Sequence, residues 1–108
     1  MVTHIVFWKL DTADPDAAAA RIKSGLEALV GVVPGLLTAE VGRGLKPDAE
    51  YDLCLVSTFE SAEALAAYRT HPEHVKVSDF VHTVIAKRTA LDYENDNLID
   101  GEVDPFLL

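Results

Sequence analysis

The stretch "HIVFWKL", His4 to Leu10, decides the fold. It is rich in β-branched and aromatic residues and reads as a strand. Side chains alternate across a strand, so His4, Val6, Trp8 and Leu10 share one face. Thr3, Ile5, Phe7 and Lys9 share the other. Both faces carry large apolar groups, so one layer of helices can cover only one of them.

Working outward, "DTADPDAAAARIKSGLEALVGVVPG" (residues 11–35) reads as a helix. Asp14 is placed to cap it, Pro15 suits the first helical position and Asp16 falls in the first turn. Ala18, Ile22, Leu26, Leu29 and Val33 recur at helical spacing and form one apolar stripe. Pro34-Gly35 ends the helix. Leu36 to Arg43 is a second strand, interrupted by Gly42 and Gly44. "GLKPDAE" (44–50) is a turn, and Tyr51 to Phe59 is a third, almost continuously apolar strand, so the pair forms a hairpin. "ESAEALAAYRT" (60–70) is a second helix capped by Ser61, with Glu63 in its first turn. His71-Pro72 breaks it. "PEHVKVSDFV" (72–81) gives a further short helical turn, and Val84 to Tyr93 a last strand with His82 at its start.

The order β-α-β-β-α-β predicts an α+β, ferredoxin-like fold with a four-stranded antiparallel sheet. Two helices cover one side of such a sheet. Ile5, Phe7, Cys54 and Val56 are then left on the other side, an apolar patch rarely exposed on a monomer. Sheet-on-sheet packing against a second copy covers it most simply, so a homodimer is expected. The domain is expected over residues 1–94. Residues 95–108 form an acidic extension whose Phe106-Leu107-Leu108 tip is placed to dock on the body or on a partner.

The chain has 108 residues, room for one domain, and a formal net charge of −9. Five acids fall from Glu94 onward with no base, which leaves −4 on residues 1–93. No basic footprint exists for a nucleic acid or an anionic membrane. The single cysteine, Cys54, allows no intrachain disulfide and sits in an apolar strand setting without an activating charge. The start lacks a basic segment followed by a long apolar core, and no apolar run is long enough to span a membrane. A cytoplasmic protein is expected.

Five segments, in this order, resemble the stress-responsive dimeric α/β-barrel (Dabb) family: "HIVFWKL", "VVPGLLTAEVG", "YDLCLVSTFES", "ALAAYRTHPEHVKV" and "RTALDYE". They span about residues 2–94. The "HPEHV" phrase after a strand ending "FES" is the most specific part. The resemblance implies a dimeric α/β barrel, two facing sheets with helices outside. Some members resembling this chain are polyketide cyclases of the olivetolic acid cyclase type, which need no cofactor. Carried over from them, Tyr68 and His74 are the catalytic pair and His4 a pocket residue. Two further pocket positions, polar in those cyclases, are Leu26 and Leu53 here. Trp8 shares the His4 face and is grouped with the substrate-binding residues.

The chemistry of the pair is consistent with that role. An aldol cyclisation needs a base that removes a proton beside a carbonyl, and an imidazole suits that task near neutrality. A tyrosine hydroxyl can steady the enolate oxygen. Tyr68 and His74 lie six residues apart across a Pro-broken turn, so both can face one cleft. The structural alternative is a helix-start histidine bonded to backbone and a core tyrosine with a wet tip. His71 reads as a cap of the following helix. His71 and His74 are three apart, but spacing supplies no third ligand, so no metal is expected. His82 has no role visible in sequence. The "GRGLKPD" glycines lack phosphate-loop spacing. The expected function is thus a small-molecule-binding protein for a hydrophobic ligand, in its sharpest form a cyclase for a β-keto chain. The alternatives are a non-catalytic stress-responsive dimeric barrel and, third, a monooxygenase of a related barrel type.

Overall fold

The computed structural model describes residues 1–95. The elements run β1 (Val2–Leu10), α1 (Pro15–Glu27), β2 (Leu36–Arg43), β3 (Leu53–Phe59), α2 (Ala62–Thr70), α3 (Pro72–Val84) and β4 (Ile85–Glu94). The sheet is four-stranded in the order β2-β3-β1-β4, and all its pairings are antiparallel. This is the α+β, ferredoxin-like arrangement the sequence pattern predicts. The acidic extension and its apolar tip, from residue 96 on, lie outside the described residues. Among the described residues no helix is long and apolar enough to cross a membrane.

Local chemistry explains where α1 starts and stops. The Asp14 carboxylate accepts a hydrogen bond from the Ala17 amide at 3.1 Å, and Pro15 opens the first turn. Ala18, Ala19, Ile22 and Leu26 are buried against the sheet. The helix ends at Glu27, earlier than its apolar stripe implies. Gly31, at φ 87°, takes the chain out of helical geometry, while Leu29 and Val33 stay buried in the turns that follow. Gly35 has φ 82°, and a Cβ there would stand 2.5 Å from the Ala64 Cβ. Only glycine lets the loop pass this close to α2.

The segment after His71-Pro72 differs from the sequence expectation. It is a thirteen-residue helix, not a short turn, and it takes in His82, which was expected to open the last strand. Pro72 occupies the first helical position, the Glu73 amide is capped by His71, and Val77, Val81 and Val84 fall on one face toward the core. Its valines favour strands in isolation, and packing on α1 and the sheet outweighs that preference.

β1 carries the two faces as its alternation predicts. His4, Val6 and Trp8 are buried beneath the helices, as are Leu53, Leu55, Ser57 and Phe59 of β3. The opposite face leaves Phe7 39%, Val56 41% and Leu91 63% exposed. Cross-strand pairing sets Ile5 beside Val56 on one side and Leu91 on the other, so the exposed side chains are contiguous.

Candidate functional site

Tyr68 stands in the last turn of α2, and His74 in the first turn of α3. Between them Pro72 disfavours helical geometry for the residue before it, and His71 is extended at φ −63°, ψ 131°. His71 Nδ1 accepts a hydrogen bond from the Glu73 amide at 3.1 Å, so His71 is the cap expected of it. The break folds the chain back, and the Tyr68 and His74 rings lie 4.0 Å apart between centroids, tilted by 36°. Phe59 and His4 meet Tyr68 edge-on from below, at 5.0 and 6.4 Å.

The hydrogen bonds assign the ring protons. His74 Nδ1 lies 3.3 Å from the Arg69 carbonyl, which can only accept, so Nδ1 carries the proton. Nε2 of the neutral ring is then an acceptor. Burial holds the His74 pKa below its ordinary 6.5. The bond to the Arg69 carbonyl opposes that shift, and the nearby charges of His4, His71 and Arg69 add to it. His74 is therefore a neutral base at pH 7. Burial pushes the Tyr68 phenol up to about 12, so it remains a donor. No buried side-chain polar atom among the described residues lacks a partner, and the Tyr68 hydroxyl bonds to no protein group there. It consequently keeps access to solvent space.

β4 contributes a group that backs His4. Asp92 lies opposite His4 in the β1–β4 register. One carboxylate oxygen accepts from His4 Nδ1, and the other from Arg69 Nη2 at 2.5 Å. Partial burial raises the Asp92 pKa, but the His4 hydrogen bond, with the charges of His4 and Arg69, outweighs it and leaves the pKa below its usual value. His4, itself buried, is held in one orientation by this carboxylate.

These groups border one cavity of about 200 Å³ between β1, β4 and the helices. His4, Tyr68 and His74 lie on its wall, with Trp8 and Leu26 among its apolar lining. The pocket is open, not a cleft filled by side chains. It is smaller than the roughly 300–1,000 Å³ of drug-sized sites, so it suits a small ligand or part of a larger one. Leu53 stands apart from this group. It lines a different cavity with Ala19, Lys23 and Val41, because the first half of α1 covers that end of β3. Arg69, Ser78, His82 and Arg88 also border the site and were not singled out from sequence. Three of these follow from the length of α3 and the β4 register. Among the described residues no three metal-ligating side chains converge.

The profile of the stress responsive A/B barrel domain, Dabb, matches residues 2–95. The chain belongs to the Dabb family. No curated protein matches the sequence. Among solved structures, this Dabb chain is similar to a dimeric protein of unknown function and ferredoxin-like fold from Bacteroides fragilis. They share 30% identity over 86% of this chain and 94% of that one, with a TM-score of 0.78. A protein from Arabidopsis thaliana shares 23% identity over 91% and 98% of the two chains, at TM-score 0.79. A hydroxynitrile lyase from Passiflora edulis shares 20% identity over 90% and 95%, at TM-score 0.76. The last two likenesses are of fold. In the Dabb chain the polar residues of the site come from β1 and from the consecutive elements α2, α3 and β4 at the other end of the domain.

Proposed function

We propose that this Dabb protein binds a small, largely apolar carbonyl compound in the cavity and removes a proton beside the carbonyl. The reading is carried by one observation: His74 spends Nδ1 on a backbone carbonyl and keeps Nε2 as a neutral acceptor, stacked on a tyrosine that stays protonated. In the sharpest form of the reading the reaction is an intramolecular aldol condensation of a β-keto chain. His74 Nε2 takes the C–H proton, and the electron pair passes to the carbonyl oxygen, which accepts a hydrogen bond from Tyr68. The enolate carbon then bonds to a second carbonyl carbon. The alkoxide so formed takes back the proton from His74. No cofactor is needed, because flanking carbonyls already acidify the carbon. His4, fixed by Asp92, orients the chain from the sheet side.

The experiment is deuterium exchange at the activated methylene of β-keto thioesters, read by NMR, with product yield on poly-β-keto thioesters beside it. His74→Ala lowers exchange by about 10²–10⁴-fold, the usual worth of a general base. Tyr68→Phe lowers it by about 10²-fold. Exchange and yield equal in wild type and His74→Ala would leave a binding protein without this chemistry.

The homodimer belongs to the same reading. The contiguous Ile5, Phe7, Val56 and Leu91 side chains on the bare sheet face support it, together with the Bacteroides relative described as dimeric.

A further inference from the structure

The cavity wall carries basic side chains and no carboxylate, in a protein that is acidic as a whole. The chain has 18 Asp and Glu against 9 Lys and Arg. Yet the cavity wall includes Arg69 and Arg88 with three histidines, and no carboxylate. Arg69 is already neutralised, its Nη2 lying 2.5 Å from Asp92. Arg88 is different. It sits on the helix side of β4, opposite Trp8 in the strand register. Among the described residues it forms no hydrogen bond, ion pair or ring contact. Six of the other eight cations are paired with acids: Lys9, Lys23, Arg43, Arg69, Lys76 and Lys87. Arg21 lies over the Phe80 ring, and Lys46 is in the exposed β2–β3 turn. Arg88 is thus a free guanidinium at the cavity wall.

A guanidinium is a planar fork of donors that matches the two oxygens of a carboxylate. Next to it the wall is apolar, with Trp8 paired to Arg88 across the strands and Val81 on α3. His82 is also there. Its Nδ1 donates to the Ser78 carbonyl at 2.7 Å, which leaves Nε2 as a second polar atom at this end. The acid–base pair Tyr68 and His74 borders the same cavity. We propose that Arg88 recognises a carboxylate on the ligand, so that the site prefers a free oxo-carboxylic acid with an apolar chain over the corresponding neutral ester or thioester. The inference rests on the cavity reading above and narrows its substrate.

The test is titration calorimetry at low ionic strength with 3-oxooctanoate and its methyl ester. Wild type binds the acid about tenfold more tightly than the ester, in line with one charge-assisted hydrogen-bonded pair. Arg88→Gln removes that preference, while Arg88→Lys keeps part of it. Equal affinities in wild type, an unchanged preference in Arg88→Gln, or no binding of either compound at millimolar concentration overturns the proposal. The wild-type ratio and its decline with added salt decide the matter even if Arg88→Gln fails to fold. Tighter binding of acetoacetyl-coenzyme A than of acetoacetyl-pantetheine, lost in Arg88→Gln, would assign Arg88 to a phosphate and also overturn it. Calorimetry reads binding alone. Loss of the acid preference with His74-dependent exchange intact removes only the Arg88 assignment. An intact preference with exchange indifferent to His74→Ala removes only the reaction.

Discussion

At the scale of single residues, the site is a matter of which nitrogen holds a proton. His71 and His74 are three positions apart and do opposite things. His71 Nδ1 accepts from an amide and closes a helix end, while His74 Nδ1 donates to a carbonyl and frees Nε2. The pH dependence follows. The base must be neutral, and burial holds its pKa below 6.5, so the acid limb of kcat/KM is centred below pH 6.5. On the alkaline side Tyr68, at about 12, imposes no loss near its ordinary pH 10. A pH–rate profile checks both limbs, and an acid limb centred at or above 6.5 would contradict the assignment. The same shift affects stability with a definite sign. A depressed histidine pKa means that the unfolded chain binds the proton first. The contribution is present above pH 6.5 and is lost as pH falls from there through the folded-state value.

At the scale of elements, the placement of Tyr68 depends on how α2 is held at both ends. Ser61 caps it, accepting from the Ala64 amide at 3.1 Å. Next to that cap Gly35 passes so close that a Cβ would meet Ala64 at 2.5 Å. Gly35→Ala is expected to destabilise the protein by about 2 kcal/mol, from the positive φ and the displacement of α2. Gly31→Ala makes a useful comparison. It shares the positive φ but has open space around its Cβ position, so it should cost less. Urea denaturation of the two variants separates backbone strain from the clash, and equal losses would show that the approach to α2 is of no consequence. The edge of β2 is guarded in a similar local way. The Glu27 carboxylate accepts from Lys23 at 2.7 Å and from the Val41 amide at 2.9 Å, which occupies an edge N–H that could otherwise pair with another chain.

At the scale of the whole molecule, one sheet has to satisfy two neighbours. Its helix side is covered by the helices, which leave the site cavity and the separate cavity at Leu53. Its other side presents Phe7, Val56, Leu91 and Tyr93 to water. If a second copy covers that side, a charge at its centre prevents the association, because a buried unpaired carboxylate is costly. Phe7→Asp is therefore expected to convert a dimer to a monomer in sedimentation equilibrium at micromolar concentration. Phe7 points away from the cavity, so the cavity walls remain. A wild-type chain that sediments as a monomer would remove the dimer proposal and leave the fold unaffected.

The sequence by itself determined the order of the strands, the two apolar faces of β1 and the caps at Asp14 and Ser61, and it allowed Tyr68 and His74 to meet across the Pro72 break. Each of these rests on local rules: alternation along a strand, a capping oxygen, a proline that turns the chain. It also placed Trp8 on the face of β1 that meets the helices and Leu26 on the apolar stripe of α1, and both line the cavity. The tertiary structure alone decided the rest. Leu53 and Leu55 share a face of β3, but only the position of α1 sets Leu53 on another cavity. Asp92 and Arg88 look like solvated charges on a terminal strand until the β1–β4 register sets them opposite His4 and Trp8. Contacts between residues some eighty positions apart are fixed by pairing and packing, and no periodicity within either segment encodes them.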